Sequence, residues 1–186
     1  IIFVNAALPI QEEDQLPTPS LLIGDGYCAQ PFEAKSIINI SGMSYGAISK
    51  PAVRALSLGA AQAGCWLNTG EGGLAPYHLE GNCDVIMQIG TAKYGIRDEH
   101  GNFSPQRAKE LSKVVKAFEI KLSQGAKPGK GGLLPAGKVH EEIAAIRGIP
   151  VHQDSISPNR HKDINNIDEL LDKINAIREL TGRPVG

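Results

Sequence analysis

The chain has 186 residues, of which 41% are hydrophobic and 21% are charged. These fractions are those of an ordinary globular domain, and they exclude disordered, collagen-like and coiled-coil chains. The 19 basic and 20 acidic side chains leave a net charge of -1. The charge therefore gives no reason to expect nucleic acid or an anionic membrane as a partner, and a small ligand is the better expectation.

The three cysteines are Cys28, Cys65 and Cys83, which are widely spaced and form no C-x-x-C pair. This spacing predicts neither a disulfide framework nor a zinc or iron–sulfur site, so we expect no bound metal in this chain. No apolar run approaches the roughly 20 residues that cross a bilayer, and the first residues lack the features of a signal peptide. We therefore expect a cytoplasmic protein.

Residues 1–35 are rich in proline and predict an irregular N-terminal arm with one short strand at 21–23. From residue 36 onward, short apolar runs alternate with helical patterns. The predicted strands are 36–40, 65–68, 84–89 and 117–122, followed by one that ends near Val151 and one that begins at Val185. The predicted helices are one from Ser49 to Gly64, one from Ser104 through Val115, one near 141–146, and one from Asn166 to Gly182.

Alternating short strands and helices predict a parallel sheet covered by helices, as in a doubly wound sheet or a barrel. The loops rich in glycine and polar residues follow predicted strands, which is where barrel active sites collect. No G-x-G-x-x-G turn follows the first strand, which favours the barrel over a dinucleotide fold. Because a whole barrel takes about 250 residues, we predict an α/β fold in which residues 36–186 form the N-terminal portion of a (β/α)₈ barrel, truncated after four to five strands.

Three of these loops contain candidate functional residues. The first, 41–47, places small residues where a backbone can approach a flat ring, although it also fits an ordinary turn. The second, 68–73, sets Glu71 between glycines; the alternatives are a solvated acid and a general acid or base. In the third, Lys121 lies at the end of a strand on the same face as Glu119, and a lysine inside a barrel is costly unless it is paired. We therefore assign Lys121 to the site.

Lys127 and Lys130 follow Lys121 in a segment that contains proline and several glycines. They are either solvated surface charges or members of a site whose backbone the flanking residues restrict. The segment does not match a Walker phosphate loop. Of the five histidines, only His161 is kept as a functional candidate, because it follows the strand predicted near Val151; the other four are interpreted as structural.

Five stretches of this sequence occur together in one known family. They are 42–47, 68–73, 124–129, Gly131-Gly132 and 157–163. In order and spacing they resemble the central FMN-binding domain of glutamate synthases and of their stand-alone relatives. The N-terminal arm is more similar to the stand-alone relatives.

The resemblance implies an FMN at the mouth of the barrel and the reduction of 2-iminoglutarate, formed from 2-oxoglutarate and ammonia, to L-glutamate. Ser44, Tyr45, Gly46 and Ala47 would line the flavin, and Gln88 and Lys121 would reach its polar edge. The substrate would be held by Glu71, Gln124 and Lys127, with Glu71 and Lys127 as the catalytic pair. An iron–sulfur cluster is possible in the whole protein, since the family's cluster ligands lie in later strands than those present here.

Two alternatives stay open beside this interpretation. One is a non-catalytic fragment or interaction module of the same fold, and the other is a related FMN-dependent aminotransfer subunit with a different amine substrate. The electron donor is left open by either. An open half-barrel would also expose an unpaired strand edge, so self-association of the fragment is expected.

Overall fold

The computed structural model describes residues 7–8, 11, 13, 19–125 and 129–186. The strands are β1 (Leu21–Ile23), β2 (Phe32–Ala34), β3 (Leu67–Asn68), β4 (Val85–Ile89), β5 (Ala117–Ile120), β6 (Leu133–Leu134) and β7 (Ser155–Ile156). The α-helices are α1 (Lys50–Ala63), α2 (Pro105–Leu111), α3 (Glu141–Arg147) and α4 (Ile167–Thr181). None of the helices in these ranges has the length and apolarity that crossing a membrane requires.

The centre of the fold is a parallel sheet with the order β3-β4-β5. Single parallel bridges extend it on both sides, from Ile40 to Leu67 and from Val185 to Phe118. The five parallel positions therefore follow one another in space as they do in sequence, and they do not close on themselves within the described residues. This confirms the predicted α/β class with parallel strands, and the arrangement is compatible with a portion of a (β/α)₈ barrel.

The predicted helix boundaries are confirmed where local capping sets them. Ser49 accepts a hydrogen bond from the Ala52 amide, and α1 ends at Gly64 in the left-handed conformation. Asn166 caps α4 in the same way by accepting from the Glu169 amide. These signals lie within a few residues of each other, so they can be recognised in the sequence.

Two predicted strands differ from the structure. Of 36–40, only Ile40 pairs in the sheet, while Ile37 and Ile38 are exposed and the Ser36 hydroxyl donates to the Ile38 carbonyl in a local turn. No strand ends near Val151, because Pro150 lacks an amide donor and His152 adopts a positive φ of 57°. The chain from 121 to 166 is instead an excursion that contains the antiparallel pair β6–β7 and α3.

The sheet separates two apolar layers. Val85, Met87 and Ile89 of β4 pack with Ile177 and other residues of the helices on one side. On the other side Ile86 packs against the β1–β2 hairpin. The pattern of the N-terminal arm predicts β1 but not β2, which pairs with β1 in antiparallel register.

Ile177→Ala in α4 should lower the free energy of unfolding by about 2–5 kcal/mol, because Ile177 is 1% exposed and its removal leaves a cavity between helix and sheet. The matched control is Ile167→Ala at the start of the same helix, where the side chain is 74% exposed. That change should stay within about 0.5 kcal/mol. Urea unfolding of the two variants measures both values, and equal effects would contradict the packing described here.

Candidate active site

A cavity of about 420 Å³ opens at the carboxyl ends of the parallel strands. Its walls come from the loops that follow Ile40 and β3, from Gln88 of β4, and from the excursion between β5 and α4. The polar residues that line it are Ser44, Glu71, Gln88, Lys121, Gln124, Lys138, Arg147, Ser155 and Ser157. The apolar and small residues are Gly42, Met43, Ala47, Ile48, Gly70, Gly132, Leu133, Leu134 and Pro135.

Glu71 lies at the centre of the polar wall. Its Oε2 is 3.2 Å from Lys121 Nζ, and its Oε1 accepts a 2.7 Å hydrogen bond from the Gln124 side-chain amide. Two glycines leave the space that this carboxylate occupies. A Cβ on Gly90 would lie 2.6 Å from Glu71 Cβ, and one on Gly132 would lie 2.9 Å from Glu71 Oε1. The structure thus brings the predicted Glu71, Lys121 and Gln124 into one cluster.

The turn after β3 aims Glu71 into the cavity. The backbone N–H of Gly70 donates to Asn68 Oδ1. Thr69 Oγ1 accepts from the backbone N–H of Gln88 in the next strand. Gly70 has a φ of 65°, and a Cβ there would lie 2.4 Å from Ser44 Oγ. Only glycine combines this backbone with so close a neighbour.

Gln88 and Glu119 face the interior from adjacent strands. They are paired in register between β4 and β5, and the side-chain amide of Gln88 donates to the Glu119 carboxylate. Gln88 also lines the cavity. Glu119 and Lys121 therefore lie on the same strand face, as their spacing predicts. Glu119 pairs with Gln88, whereas Lys121 pairs with Glu71.

Arg147, at the end of α3, is the buried cation of the cavity. It is 6% exposed, and its guanidinium donates to Ser155 Oγ at 2.9 Å and to the Tyr45 carbonyl at 3.4 Å. Its Nε has no hydrogen-bond partner, and no carboxylate lies within 4.0 Å of it in the part of the chain that the structure describes. Burial lowers the pKa of this guanidinium, which nevertheless stays charged at neutral pH.

The loop predicted to line a flavin is divided between two environments. Ser44 and Ala47 line the cavity, whereas the Tyr45 ring packs in the core and its hydroxyl donates to Glu142 at 2.6 Å. Gly46 lies behind the wall, where a Cβ would lie 3.0 Å from an Ile143 methyl group. The side chain of Tyr45 is therefore a packing group rather than a cavity group. Lys127 lies outside the described residues.

Two buried histidines support the walls of the cavity from behind. His78 Nε2 is 2.9 Å from the Met43 carbonyl, and His161 Nε2 is 2.9 Å from the Lys121 carbonyl. A carbonyl only accepts, so each Nε2 carries the proton. Burial lowers the pKa of both imidazoles. His161 therefore does not line the cavity but contacts the backbone of a residue that does.

Comparison with known proteins identifies the family. The model of the conserved region in glutamate synthase matches residues 5–186. The chain belongs to the glutamate synthase family. It is 44% identical over 173 residues to the glutamate synthase large subunit-like protein YerD of Bacillus subtilis. The aligned residues make up 91% of this chain and 33% of that protein.

Archaeal-type enzymes are also similar to this member of the family. The archaeal-type NADPH glutamate synthase of Thermotoga maritima is 40% identical over 151 residues, covering 80% of this chain and 28% of the relative. The archaeal NADPH glutamate synthase of Methanocaldococcus jannaschii is 40% identical over 145 residues, covering 77% and 26% respectively. The chain thus spans about a third or less of the length of these curated relatives.

Arg147 is the residue of this glutamate synthase-family site that the sequence interpretation misses. A basic residue in the last turn of a helix, just before Gly148, is explained by the helix dipole alone. The available signal is its position four residues after Ile143, which places a charge on the apolar face of α3. Such a charge breaks the helical pattern and marks a candidate site.

The two buried histidines predict how the stability of this family member depends on pH. Their pKa values are lowered in the folded state, so their contribution is complete above the unfolded value of about 6.5 and is lost as the pH falls through the folded value. The free energy of unfolding should therefore fall between pH 6.5 and pH 5, by up to about 1.4 kcal/mol per pH unit for each histidine.

Urea unfolding at pH 7, 6 and 5 measures this slope. His78→Gln should reduce it, whereas the same change at His100, whose side chain is 75% exposed, should not. Asp163, whose pKa is lowered, keeps its full contribution to stability above about pH 4 and loses it only at lower pH, so it does not overlap this window. A wild-type stability that is constant from pH 7 to 5 would show that the imidazoles are not held neutral.

Proposed function

We propose that the full-length protein is an FMN-dependent oxidoreductase of the glutamate synthase type. It reduces 2-iminoglutarate, formed from 2-oxoglutarate and ammonia, to L-glutamate. The family membership supports the reaction class, and the cavity residues support the substrate class.

The observation that carries the proposal is Arg147, a buried cation in the same cavity as the Glu71–Lys121 pair. Burial of this guanidinium is unfavourable, the charge of Glu71 offsets it in part, and a carboxylate ligand would supply a direct partner with the planar, bidentate geometry that a guanidinium prefers. Lys138 also lines this cavity. The site therefore has an excess of positive charge that suits a small dicarboxylic acid.

The opposite wall fits a flat ring system. It is made of small residues, and a Cβ added to Gly42 would lie 3.1 Å from Gly70 Cα and 3.3 Å from the Gln88 amide nitrogen. The backbones at Gly42 and Gly70 therefore approach closely, with no side chain between them. FMN held against it would supply the hydride chemistry. Gln88 and Lys121 would provide the polar edge, where a cation favours the anionic reduced flavin.

Glu71 is the residue suited to the reacting nitrogen. Its carboxylate is oriented by Lys121 and Gln124, and an ammonium or imine N–H would be a further donor to the same oxygens. We assign it to holding the nitrogen and to moving a proton at that atom. Lys127, from the same loop as Gln124, remains the proposed second cation for the substrate carboxylates.

Purified full-length protein tests the proposal through its colour and its reoxidation. It should carry FMN, and its reduced flavin should be reoxidised by 2-oxoglutarate only when ammonium is present. Faster reoxidation with methylamine in place of ammonium would identify an aminotransfer subunit with another amine. A colourless protein that does not take up added FMN would refute the enzyme and leave the interaction module.

Arg147→Met should weaken 2-oxoglutarate binding by about 1.5–3 kcal/mol, roughly 10-fold to 150-fold in the dissociation constant, since it removes a charge-assisted hydrogen bond. Flavin content is measured in the same samples, because Arg147 also donates to the Tyr45 carbonyl in the loop of small residues. The control is Arg54→Met, whose side chain is 53% exposed and pairs with Glu80 on the surface. Ligand titration of folded variants measures both, and an unaltered dissociation constant would remove Arg147 from the substrate site.

A further inference from the structure

The segment from β7 to α4 is held against the ends of β4 and β5. The Thr91 hydroxyl, just after β4, donates to the Pro158 carbonyl at 2.6 Å. Lys93 Nζ, from the same turn, is 2.8 Å from the Asp163 carboxylate. Between these two contacts, His161 reaches the Lys121 carbonyl at the end of β5. The segment therefore touches the backbone of the lysine whose side chain enters the cavity.

The imidazole of His161 makes one hydrogen bond within the described ranges 19–125 and 129–186. It is 3% exposed, its Nε2 donates to the Lys121 carbonyl, and its Nδ1 is buried without a hydrogen-bond partner there. Burying a polar ring with an unpartnered nitrogen costs free energy. The hydrogen bond from Nε2 to the Lys121 carbonyl is the one polar interaction that offsets this cost.

Lys121 sits where the sheet stops controlling the chain. Its amide donates to the Ile89 carbonyl at 3.0 Å, which is the last ladder bond of β5 with β4. Beyond it, Leu122 is half-exposed and the chain leaves the sheet. The ladder therefore holds the peptide group before Lys121 and His161 holds the one after it, and together they define the direction of the side chain toward Glu71.

Asp163 fixes the segment that presents His161. Its carboxylate lies between Lys93 and Lys173, with 2.8 Å contacts to both. Burial alone would raise its pKa, but the hydrogen bonds from these two ammonium groups hold it well below its usual range. Lys93 is 7% exposed and adopts a φ of 54°, a backbone conformation that non-glycine residues rarely take. Two ammonium groups, one of them on a residue with a strained backbone, thus converge on this one anchor.

We propose that His161 is a positioning residue that, through its hydrogen bond to the Lys121 carbonyl and the Asp163 anchor, holds the Lys121 ammonium against Glu71. It touches neither cofactor nor substrate. The importance of Lys121 to the flavin rests on the proposed function, but its placement by His161 does not. A phenylalanine at 161 would keep the packing and remove the hydrogen bond, whereas a glutamine would keep an N–H donor near the Nε2 position.

Competitive acetylation of the full-length protein tests this placement without any flavin. The reactivity of Lys121 is measured by mass spectrometry relative to Lys109, which is exposed on α2. In His161→Phe the ratio should rise roughly threefold to fivefold, the factor that a partly exposed ion pair can hold. His161→Gln should stay near the wild-type ratio, and His100→Phe, the same change at an exposed histidine, should not alter it.

An unchanged Lys121 ratio in a folded His161→Phe variant would overturn the proposal, and so would an equal rise in His161→Gln. If His161→Phe does not fold, nitrogen-15 NMR of the wild-type histidines decides: His161 must be the neutral Nε2–H tautomer, and an Nδ1–H tautomer overturns the proposal. Flavin content is recorded in the same samples. A protein without FMN would refute the proposed function while the labelling ratio still reports on His161.

Discussion

The ion pair between Glu71 and Lys121 is the interaction on which the cavity depends. The two residues follow β3 and β5, which are separated by β4, so the pair spans three strands at their carboxyl ends. Their side chains are only 16% and 29% exposed, and each charge offsets the cost of burying the other. Glu71 can take this position only because Gly90, at the end of β4, has no side chain, since a Cβ there would lie 2.6 Å from Glu71 Cβ and 2.9 Å from Glu71 Oε2. Strand order and one missing side chain therefore determine the polar wall.

The excursion between β5 and α4 completes the cavity and couples its two walls. From α3, Arg147 enters the cavity and donates to the Tyr45 carbonyl, while Glu142 accepts from the hydroxyls of Tyr45 and Tyr77. The helix that supplies Arg147 thus also holds the loop of small residues in place. One short helix, and not two independent loops, therefore fixes the position of Arg147 relative to that loop.

Main-chain carbonyls, rather than side chains, are the targets of the buried histidines. His78 supports Met43 and His161 supports Lys121, one on each wall. This arrangement positions cavity residues without placing another titratable group inside the cavity. The sequence keeps His161 as a functional candidate because it follows the strand predicted near Val151, and the structure places it behind the cavity wall, against the Lys121 carbonyl.

By itself the sequence determined what depends on neighbours in the chain. The boundaries of α1 and α4 follow from Ser49, Asn166 and the terminating glycines, and the inward direction of Lys121 follows from strand alternation. The motifs also indicated the family that the comparison shows. Only the tertiary structure decided that Glu71, Lys121 and Gln124 meet, that the Tyr45 ring leaves the cavity, and that Arg147 enters it. Those contacts join residues 50 to 102 positions apart, and their geometry arises when strands, hairpin and excursion pack together, which no local pattern encodes.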